Sequence, residues 1–298
     1  MKVLSKHASY GHFPEATCKL SELKKYAHRL MFLEKLFKKC KREAETRDHH
    51  LVKKIASGRA KKVKHHPTYA YLDNRVGNLN ASHVKIGKEV DFLLAGSPFK
   101  SKKAIRDHLY HALIATDCTL WFTLNECHDR PKFWDKHCLK KIKLPKHWKI
   151  TNVKEKTVAK RGHSKLIKST LWATNGIEAK KIIHYHYANW PDHKPAPSEK
   201  LLLKCAKIAA KHMETTKTAV GINCKAGVGR TGILANLIYG MQYIKKKMDR
   251  GKSPKKISIN PAELNYDLRR GRKGMVSHPA QFAQVWKALS HYAASLHK

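Results

Sequence analysis

The fold is decided by the stretch Ile222-Asn223-Cys224-Lys225-Ala226-Gly227-Val228-Gly229-Arg230-Thr231-Gly232. A short apolar run at 219–223 is typical of a buried strand, and the stretch at 231–246 has the apolar spacing of a helix. The cysteine therefore ends a strand, and the arginine begins a helix after a loop of five residues. We predict a strand–loop–helix unit with these two side chains at the two ends of one loop.

The loop has the chemistry of an anion site. Gly227 and Gly229 let successive backbone N–H groups turn inward, and the start of the helix adds its dipole. Both effects, with Arg230 nearby, stabilise a thiolate on Cys224. Arg230 is predicted to hold two phosphate oxygens in a bidentate fork, a geometry that lysine lacks. Thr231 is predicted to donate a hydrogen bond to the Cys224 sulfur when a bond between that sulfur and phosphorus breaks.

The rest of the loop is predicted to bind phosphate through backbone N–H groups, which belong to Lys225, Ala226, Gly227, Val228 and Gly229. The predicted reaction is nucleophilic attack by Cys224 on phosphorus. The alternative is a glycine-rich turn beside a merely buried cysteine. The glycine pair, the following Thr-Gly and the strand–loop–helix setting disfavour it.

A second motif, Asn189-Trp190-Pro191-Asp192, follows an apolar run at 181–187. Cleavage of a phosphate ester requires a proton on the leaving oxygen. A carboxylic acid on a mobile loop supplies that proton and then acts as a base toward water. Asp192 lies 32 residues before Cys224 and is the predicted general acid.

Together these motifs resemble the classical, cysteine-dependent protein tyrosine phosphatase domain, from about residue 20 to the C-terminus. Residues 223–232 resemble its signature loop, and Trp190-Pro191-Asp192 resembles its closing acid loop. Residues 73–75 resemble the start of its phosphotyrosine-recognition loop, 91–95 an early strand and 274–276 the approach to its glutamine loop. The resemblance implies an α/β (α+β) fold, a single domain with a highly twisted mixed β-sheet flanked by helices. It also implies that Asn74 and Arg75 bind substrate.

Four positions depart from the family pattern. Asn223 stands where the family has a histidine that organises the loop, and Val76 stands where it has an aromatic ring against phosphotyrosine. Ser277 occupies the place of the water-positioning glutamine, with Gln281 four residues later as a stand-in. His193 follows the acid in place of phenylalanine. Selectivity for phosphotyrosine over other phosphate esters is therefore open. The rate at which water hydrolyses the phosphocysteine is also open.

Two family functions have less direct candidates. Tyr69 and Tyr71 are the available substitutes for the missing aromatic ring, and Glu126 is the candidate partner of the acid loop.

The sequence predicts one structural unit in two parts. Residues 1–66 form a basic helical segment packed on a catalytic domain at 67–298, with apolar residues at helical spacing between 20 and 40. The alternative for such a stripe is a helix that lies on a membrane. Asn260 and Pro279 are predicted to begin helices, and strands are predicted at 91–95, 119–124, 149–168 and 181–187.

The seven cysteines are odd in number and scattered, which argues against a disulfide framework and for a reducing compartment such as the cytoplasm. Cys127-His128 and His137-Cys138 match no common zinc spacing, so no metal is expected, and no cofactor either. A monomer is expected. Residues 1–7 lack the apolar stretch of a secretory signal, and no apolar run is long enough to cross a membrane.

The charge is unusual: 62 Lys and Arg face 22 Asp and Glu, for a formal net charge of +40. Residues 140–168 alone hold eleven basic residues and one acid. Such a field attracts phosphoproteins, nucleic acid or an anionic membrane. The alternative is a merely solvated surface.

Three functions remain open from the sequence. The first is hydrolysis of phosphotyrosine in proteins through a phosphocysteine intermediate. The second applies the same chemistry to phosphoinositides or to the 5′ end of RNA, a hypothesis that Val76, Lys225 and the net charge favour. The third is a pseudophosphatase that binds phosphoproteins without turnover, favoured by Asn223 and Ser277. The linker-free domain is also similar to stand-alone phosphatases that bacteria and insect viruses direct against host signalling, which implies delivery into a host cell.

Overall fold

The computed structural model of the protein describes residues 13–57, 70, 74–77, 79–88, 90–126 and 132–296, and of 45–57 it describes the helical backbone alone. Within these residues the strands are β1 (Cys18–Lys19), β2 (Ala81–Ile86), β3 (Val90–Gly96), β4 (Leu120–Asn125), β5 (Lys149–Arg161), β6 (Ser164–Thr174), β7 (Ala179–Ala188), β8 (Val220–Cys224) and β9 (Ser258–Ile259). The α-helices are α1 (Leu23–Ala27), α2 (Leu30–Ser57), α3 (Lys102–His108), α4 (Lys136–Lys140), α5 (Glu199–Thr216), α6 (Gly229–Asp249), α7 (Pro261–Gly271) and α8 (Pro279–Ala294). A π-helical turn, Leu109–Ile114, extends α3.

Seven strands form one mixed sheet in the order β2-β3-β8-β4-β7-β6-β5. The four central strands, β3, β8, β4 and β7, run parallel to one another, and the outer strands pair antiparallel. Every residue of β4 and β8 is buried, as expected for parallel strands covered on both faces. Helices flank the sheet, so the fold class predicted from the sequence is confirmed.

Two apolar cores lie on the two faces of the sheet. The larger core contains side chains of α1, α2 and α5–α8, including Phe37, Phe282 and Trp286. The smaller core lies under α3 and contains Trp121, Phe133 and Trp134. The second face thus has fewer helices, and four aromatic residues, Trp121, Phe133, Trp134 and Trp148, belong to its core.

Helix starts follow the local sequence signals. Asn260 caps α7, because its side-chain oxygen accepts hydrogen bonds from the backbone N–H groups of Ala262 and Glu263, and Pro261 occupies the first helical position. Ser198 caps α5 in the same way, at the N–H of Leu201. These two caps fix where α5 begins after residue 198 and where α7 begins after β9.

The predicted N-terminal helical region contains two helices, because the chain is broken at His28 and Arg29, where α1 ends and α2 begins. Just before this break, Tyr26 stacks on Trp286 of α8 at 5.9 Å between ring centroids. Beyond the break, α2 packs on α7 and α8 through four buried side chains, Leu33, Leu36, Phe37 and Cys40. The basic run at 61–66 lies outside the described residues, and the division at residue 66 stays a prediction.

The six described cysteines, Cys18, Cys40, Cys118, Cys138, Cys205 and Cys224, are free thiols. Among the described side chains, no three His, Cys, Asp or Glu residues gather as metal ligands; Cys127 and His128 lie outside this part of the chain. In the described ranges, none of the helices combines the length and the apolar character of a membrane span.

Candidate active site

Cys224 ends the central strand β8 and is 2% exposed. The chain then turns sharply into α6, which begins at Gly229. Gly227 makes this turn with φ of +75°, and a Cβ there would lie 2.2 Å from the backbone of Ala95. Only glycine fits at that position, because the loop passes directly over the end of β3.

Arg272 holds the loop from behind. Its guanidinium is fully buried and donates to the carbonyl oxygens of Gly227 at 2.7 Å and Ala226 at 3.2 Å. It also donates to the side-chain oxygen of Asn80 at 2.9 Å and to the hydroxyl of Ser82 at 3.2 Å. Because these loop carbonyls are bonded on the outside, the loop N–H groups are left to face the anion site.

Asn223, the residue before the cysteine, lies fully buried in a polar network. Its side-chain oxygen accepts hydrogen bonds from Trp121 Nε1 at 2.5 Å and from Thr123 Oγ1 at 2.8 Å. Its amide nitrogen donates to Ser97 Oγ at 2.6 Å, and the backbone N–H of Ser97 donates to the carbonyl of Cys224 at 2.8 Å. The network therefore reaches the backbone of the predicted nucleophile.

The network extends to a buried histidine on β7. His184 Nε2 lies 2.9 Å from Thr123 Oγ1, and because that hydroxyl donates to Asn223, it accepts from the imidazole N–H. Burial holds the pKa of His184 well below its usual value, and its Nδ1 has no hydrogen-bond partner among the described residues. His184 is therefore the neutral Nε2–H form.

Trp121 reaches Asn223 because of a glycine on the neighbouring strand. A Cβ on Gly221 would lie 1.9 Å from the Trp121 ring. The two residues pair in register between β4 and β8, so the indole occupies the space of the missing side chain. Gly221 thus makes room for the donor that Asn223 uses.

Arg230 is fully buried at the start of α6 and contacts the acid loop, residues 189–194. Its Nη1 donates to the carbonyl of Trp190 at 2.7 Å, and its Nη2 lies 2.9 Å from Asp192 Oδ1. The other oxygen, Asp192 Oδ2, lies 3.5 Å from Lys225 Nζ. The structure thus joins the predicted acid, the predicted clamp and the first loop residue in one charged cluster.

The acid loop is closed over this cluster by its own packing. Within the loop, Asn189 and His193 lie on either side of residues 190–192, and both have left-handed backbone, with φ of +63° and +60°. Trp190 is fully buried, packs on the ring of Tyr187 at 5.0 Å and donates from Nε1 to the carbonyl of Lys194 at 3.0 Å. The indole therefore anchors the loop, and the flanking residues absorb the change in chain direction.

His193 links the acid loop to the segment before α8. Its Nδ1 shares a hydrogen bond of 2.8 Å with Nε2 of His278, and its backbone N–H donates to Asp192 Oδ1 at 3.1 Å. Burial and the nearby His193 lower the pKa of His278 from its usual value. A neutral His278 is able to accept the imidazole N–H of His193.

Ser277 and Gln281 lie together against the loop. Gln281 is fully buried, and its Oε1 accepts from the hydroxyl of Ser277 at 3.0 Å and from its backbone N–H at 3.1 Å. A Cβ on Gly229 would meet both side chains, within 2.7 Å for the Ser277 hydroxyl and 3.0 Å for the Gln281 amide. Val276, with φ of +58°, turns the chain so that Ser277 faces the loop. Both predicted water-positioning residues are therefore at the site.

Other predicted site residues are less directly engaged. Thr231 Oγ1 is buried and makes no hydrogen bond within the described part of the chain, to Cys224 or to any other residue. Asn74 Nδ2 donates to the carbonyl of Gly271 at 2.6 Å, which attaches the recognition loop to the end of α7. Arg75 forms an isolated bridge with Ser82.

The aromatic ring predicted to contact phosphotyrosine stays unassigned. Val76 is half-buried and packs on the smaller core, while Asp73, Tyr69 and Tyr71 lie outside the described residues. Glu126 makes no hydrogen bond or ion pair with the acid loop among the residues described here.

Sequence reasoning missed four contributors: Ser97, Trp121, Arg272 and His278. Three of them act across long sequence separations, which no local pattern reports. His278 could have been predicted from the sequence, because it follows Ser277 directly and precedes the proline that begins α8.

A protein-family comparison matches residues 73–291 to the model of protein-tyrosine phosphatase. The chain belongs to the protein-tyrosine phosphatase family. Among its relatives, human tyrosine-protein phosphatase non-receptor type 12 is 28% identical over 113 residues, which cover 38% of this chain and 14% of that protein. Corkscrew of Drosophila melanogaster is 30% identical over 126 residues, 40% of this chain and 14% of corkscrew. The chain thus spans a small part of the length of these curated relatives.

Solved phosphatase structures share the fold. One concerns the PTPN18 fingerprint on distinct HER2 tyrosine phosphorylation sites; it has a TM-score of 0.75 at 16% identity and covers 92% of this chain and 99% of its own. PTPN18 in complex with HER2 phosphopeptides has a TM-score of 0.74 at 16% identity, with 91% and 99% coverage. At this identity the likeness concerns the fold.

Proposed function

We propose that this phosphatase-family chain hydrolyses phosphotyrosine in proteins through a phosphocysteine intermediate. The observation that carries the proposal is the contact of Asp192 Oδ1 with Arg230 Nη2 at 2.9 Å, beside the loop that Cys224 begins. A nucleophile, a bidentate cation and a carboxylic acid then converge on one anion site. Cys224 attacks phosphorus, Arg230 holds the equatorial oxygens, and Asp192 protonates the leaving phenolate.

The same chemistry on phosphoinositides or on the 5′ end of RNA is the second candidate. Val76 supports it, because a valine packed on the smaller core offers no ring to a phosphotyrosine side chain. Lys225 supports it too, since its Nζ lies at the mouth of the site, 3.5 Å from Asp192. Binding without turnover draws its support from Asn223 and Ser277. The intact set Cys224, Asp192 and Arg230 opposes it.

The test is a parallel assay on phosphotyrosine peptide, phosphoserine peptide, phosphoinositide vesicles and triphosphorylated RNA. We expect the phosphotyrosine peptide to have the highest kcat/KM. Cys224→Ser should abolish turnover of every substrate and retain vanadate binding, because attack requires a thiolate. A higher kcat/KM on lipid or RNA would select the second candidate. Appreciable hydrolysis by the serine variant would remove the covalent mechanism altogether.

Action on host signalling after delivery into a host cell, and a cytoplasmic location, stay predictions that rest on the resemblance and on the cysteine pattern. Attraction to an anionic surface also stays a prediction at this level, resting on the net charge of +40.

A further inference from the structure

One face of the outer sheet is exposed to solvent around Trp172, whereas at Tyr185 the same face is covered by the larger core. Strands β5, β6 and β7 pair antiparallel there, with Thr151, Trp172 and Lys181 side by side in register. Residues two apart along a strand share a face, so Lys168 and Tyr185 belong to the same one. The lysine Nζ indeed lies 6.0 Å from the Tyr185 ring centroid.

This surface, the basic sheet face, consists of Trp172 and five lysines around it: Lys149, Lys154, Lys156, Lys168 and Lys181. The other paired residues of the face include no Asp or Glu, so no carboxylate lies within it. Glu155 belongs to the opposite face, where its carboxylate accepts from Ser169 Oγ at 2.9 Å. The charge of the face is therefore uncompensated, and its complement is an anion.

Trp172 is unlike the other tryptophans of the chain. All six are described, and the other five are at most 9% exposed, whereas Trp172 is 43% exposed. An exposed aromatic side chain on an open sheet, with cations around it, is the arrangement on which proteins stack unpaired bases. Because the other five are buried, Trp172 is the tryptophan that a ligand on this surface contacts.

Helix α5 continues the positive surface. Its lysines Lys200, Lys204, Lys207 and Lys211 recur at helical spacing on its exposed side. Lys204 Nζ donates to the carbonyl of Val158 in β5 at 3.2 Å, so this stripe adjoins the hairpin. On the same helix, Glu214 pairs with Lys245 Nζ at 3.2 Å, and its charge is offset there.

The basic sheet face is separate from the candidate active site. Strand β7 runs from Lys181 toward Ala188, and the acid loop follows its end. At about 3.3 Å per residue, these seven steps place Trp172 and Lys181 about 23 Å from the start of that loop, whereas Lys168, which pairs with Tyr185, lies about 10 Å from it. A ligand centred on Trp172 therefore leaves the candidate pocket open.

We propose that the basic sheet face binds single-stranded nucleic acid, with Trp172 stacked on an unpaired base and the lysines neutralising phosphates. The lysines of β5 extend in a row of about 23 Å from Lys149 to Lys156, which suits a linear polyanion. A membrane anchor needs several apolar side chains together, whereas the neighbours of Trp172 across the sheet are Thr151 and Lys181. In a duplex the bases are already stacked, so Trp172 gains no partner.

The probe is a fluorescein-labelled oligothymidylate of about 12 nucleotides, followed by anisotropy and by quenching of tryptophan fluorescence. We expect saturable binding that quenches the exposed Trp172 signal and weakens steeply between about 50 and 200 mM salt. Trp172→Ala should weaken binding by about 5- to 150-fold and remove the quenching, since a stacked base is lost. A duplex of the same length should bind through charge alone, with no quenching.

The charge contribution has a matched control. Lys156→Glu with Lys168→Glu should lower the steepness of the salt dependence by about 1.4, or about 0.7 for each phosphate contact. Lys35→Glu with Lys38→Glu changes the net charge equally on α2, which packs on α7 at the opposite, β2 edge of the sheet. The control pair should leave both the quenching and that slope within error.

Three outcomes would overturn the proposal. The first is equal weakening by the two lysine pairs, which would reduce the effect to overall charge. The second is duplex binding as tight as single-strand binding with Trp172→Ala inert. The third is binding to phosphatidylserine vesicles that depends on Trp172 when oligothymidylate binding does not. The lysine pairs keep the test decisive even if the alanine variant unfolds.

Discussion

The indole nitrogen of Trp121 donates a hydrogen bond of 2.5 Å to the side-chain oxygen of Asn223. This bond couples β4 to the residue before the predicted nucleophile, and through Ser97 the coupling reaches the backbone of Cys224. Asparagine therefore stabilises the approach to the loop by hydrogen bonds within the sheet. Family members use a histidine at this position, by the resemblance described above.

Trp121→Phe keeps an aromatic side chain but removes the indole donor and part of the volume that the fully buried indole fills. We expect a loss of more than about 1 kcal/mol in the free energy of unfolding, from the lost hydrogen bond and the cavity together. Urea denaturation measures the change. Trp172→Phe, at an exposed position, is the matched control and should change stability by no more than about 0.5 kcal/mol. Equal stability of the two variants would mean that the bond to Asn223 contributes nothing measurable.

Asp192→Ala should lower kcat by about 10²–10⁴-fold with little change in substrate binding, because the leaving phenolate loses its proton donor. The basic limb of the pH–rate profile should disappear in the same variant. Asp249→Ala, which removes an exposed carboxylate at the end of α6, is the control and should leave the profile unchanged. Persistence of the basic limb in the Asp192 variant would assign the proton to another residue.

The second chemical step depends on water held in line with the P–S bond, and serine is shorter than glutamine. Misplacement by about an ångström costs on the order of 10²-fold, so breakdown of the phosphoenzyme should be slower than its formation. Rapid mixing should give a burst of leaving group and then slow turnover. Ser277→Gln should raise the steady rate and leave the burst rate constant unchanged.

Gln281 supplies the competing assignment for that step. If no burst occurs and Ser277→Gln has no effect, while Gln281→Ala slows steady turnover, the water is held by Gln281. The short contact of Ser277 Oγ with Gln281 Oε1, 3.0 Å, makes the two substitutions non-additive in either case.

The pH dependence of stability follows from three buried histidines. Burial lowers the pKa of His108 to about 3, that of His186 to about 4, and that of His184 well below its usual 6.5. The folded state keeps them neutral while the unfolded chain binds protons, so stability is complete above pH 6.5 and is lost as pH falls toward 4. Each contributes up to about 1.4 kcal/mol per pH unit in that window, about 4 kcal/mol together.

Urea denaturation at a series of pH values between 4.5 and 7 measures this slope. His186→Gln should reduce it by about one proton, or about 1.4 kcal/mol per pH unit. His137→Gln, at an exposed site on α4, should leave it unchanged. A slope that is flat in this window would mean that the buried imidazoles take up protons without unfolding.

The sequence predicted the residues of the candidate site more completely than it predicted the contacts made across the sheet. The loop 224–230 and the acid loop were predictable because each is continuous in sequence and its glycines, proline and charges report local backbone geometry. Their meeting, Asp192 on Arg230, followed only from the resemblance. The break between α1 and α2 was not predicted, and the contact of Tyr26 with Trp286 beside it joins residues that are far apart in sequence.

The polar network behind Cys224 was out of reach for the same reason. In the sequence, Trp121 is one apolar residue of its strand, and Gly221 is a glycine in another strand, where it would be expected to lower stability. Only the register of β4 and β8 shows that the two residues are paired. His184 and His186 lie within the strand predicted at 181–187, but their neutrality was not predictable, because it depends on burial. Local patterns report local geometry, and these features arise from pairing across the sheet.

The close packing of Trp121 on Gly221 determines the order in which these two positions can be substituted. A side chain at position 221 would collide with the indole at 1.9 Å, so it is tolerated only after Trp121 has become small. Changing Trp121 first passes through a cavity, which costs stability and leaves the backbone unobstructed. Any path between this sequence and one with a bulky residue at 221 must therefore change position 121 on the glycine background. Random libraries that vary position 221 alone should return glycine at that site.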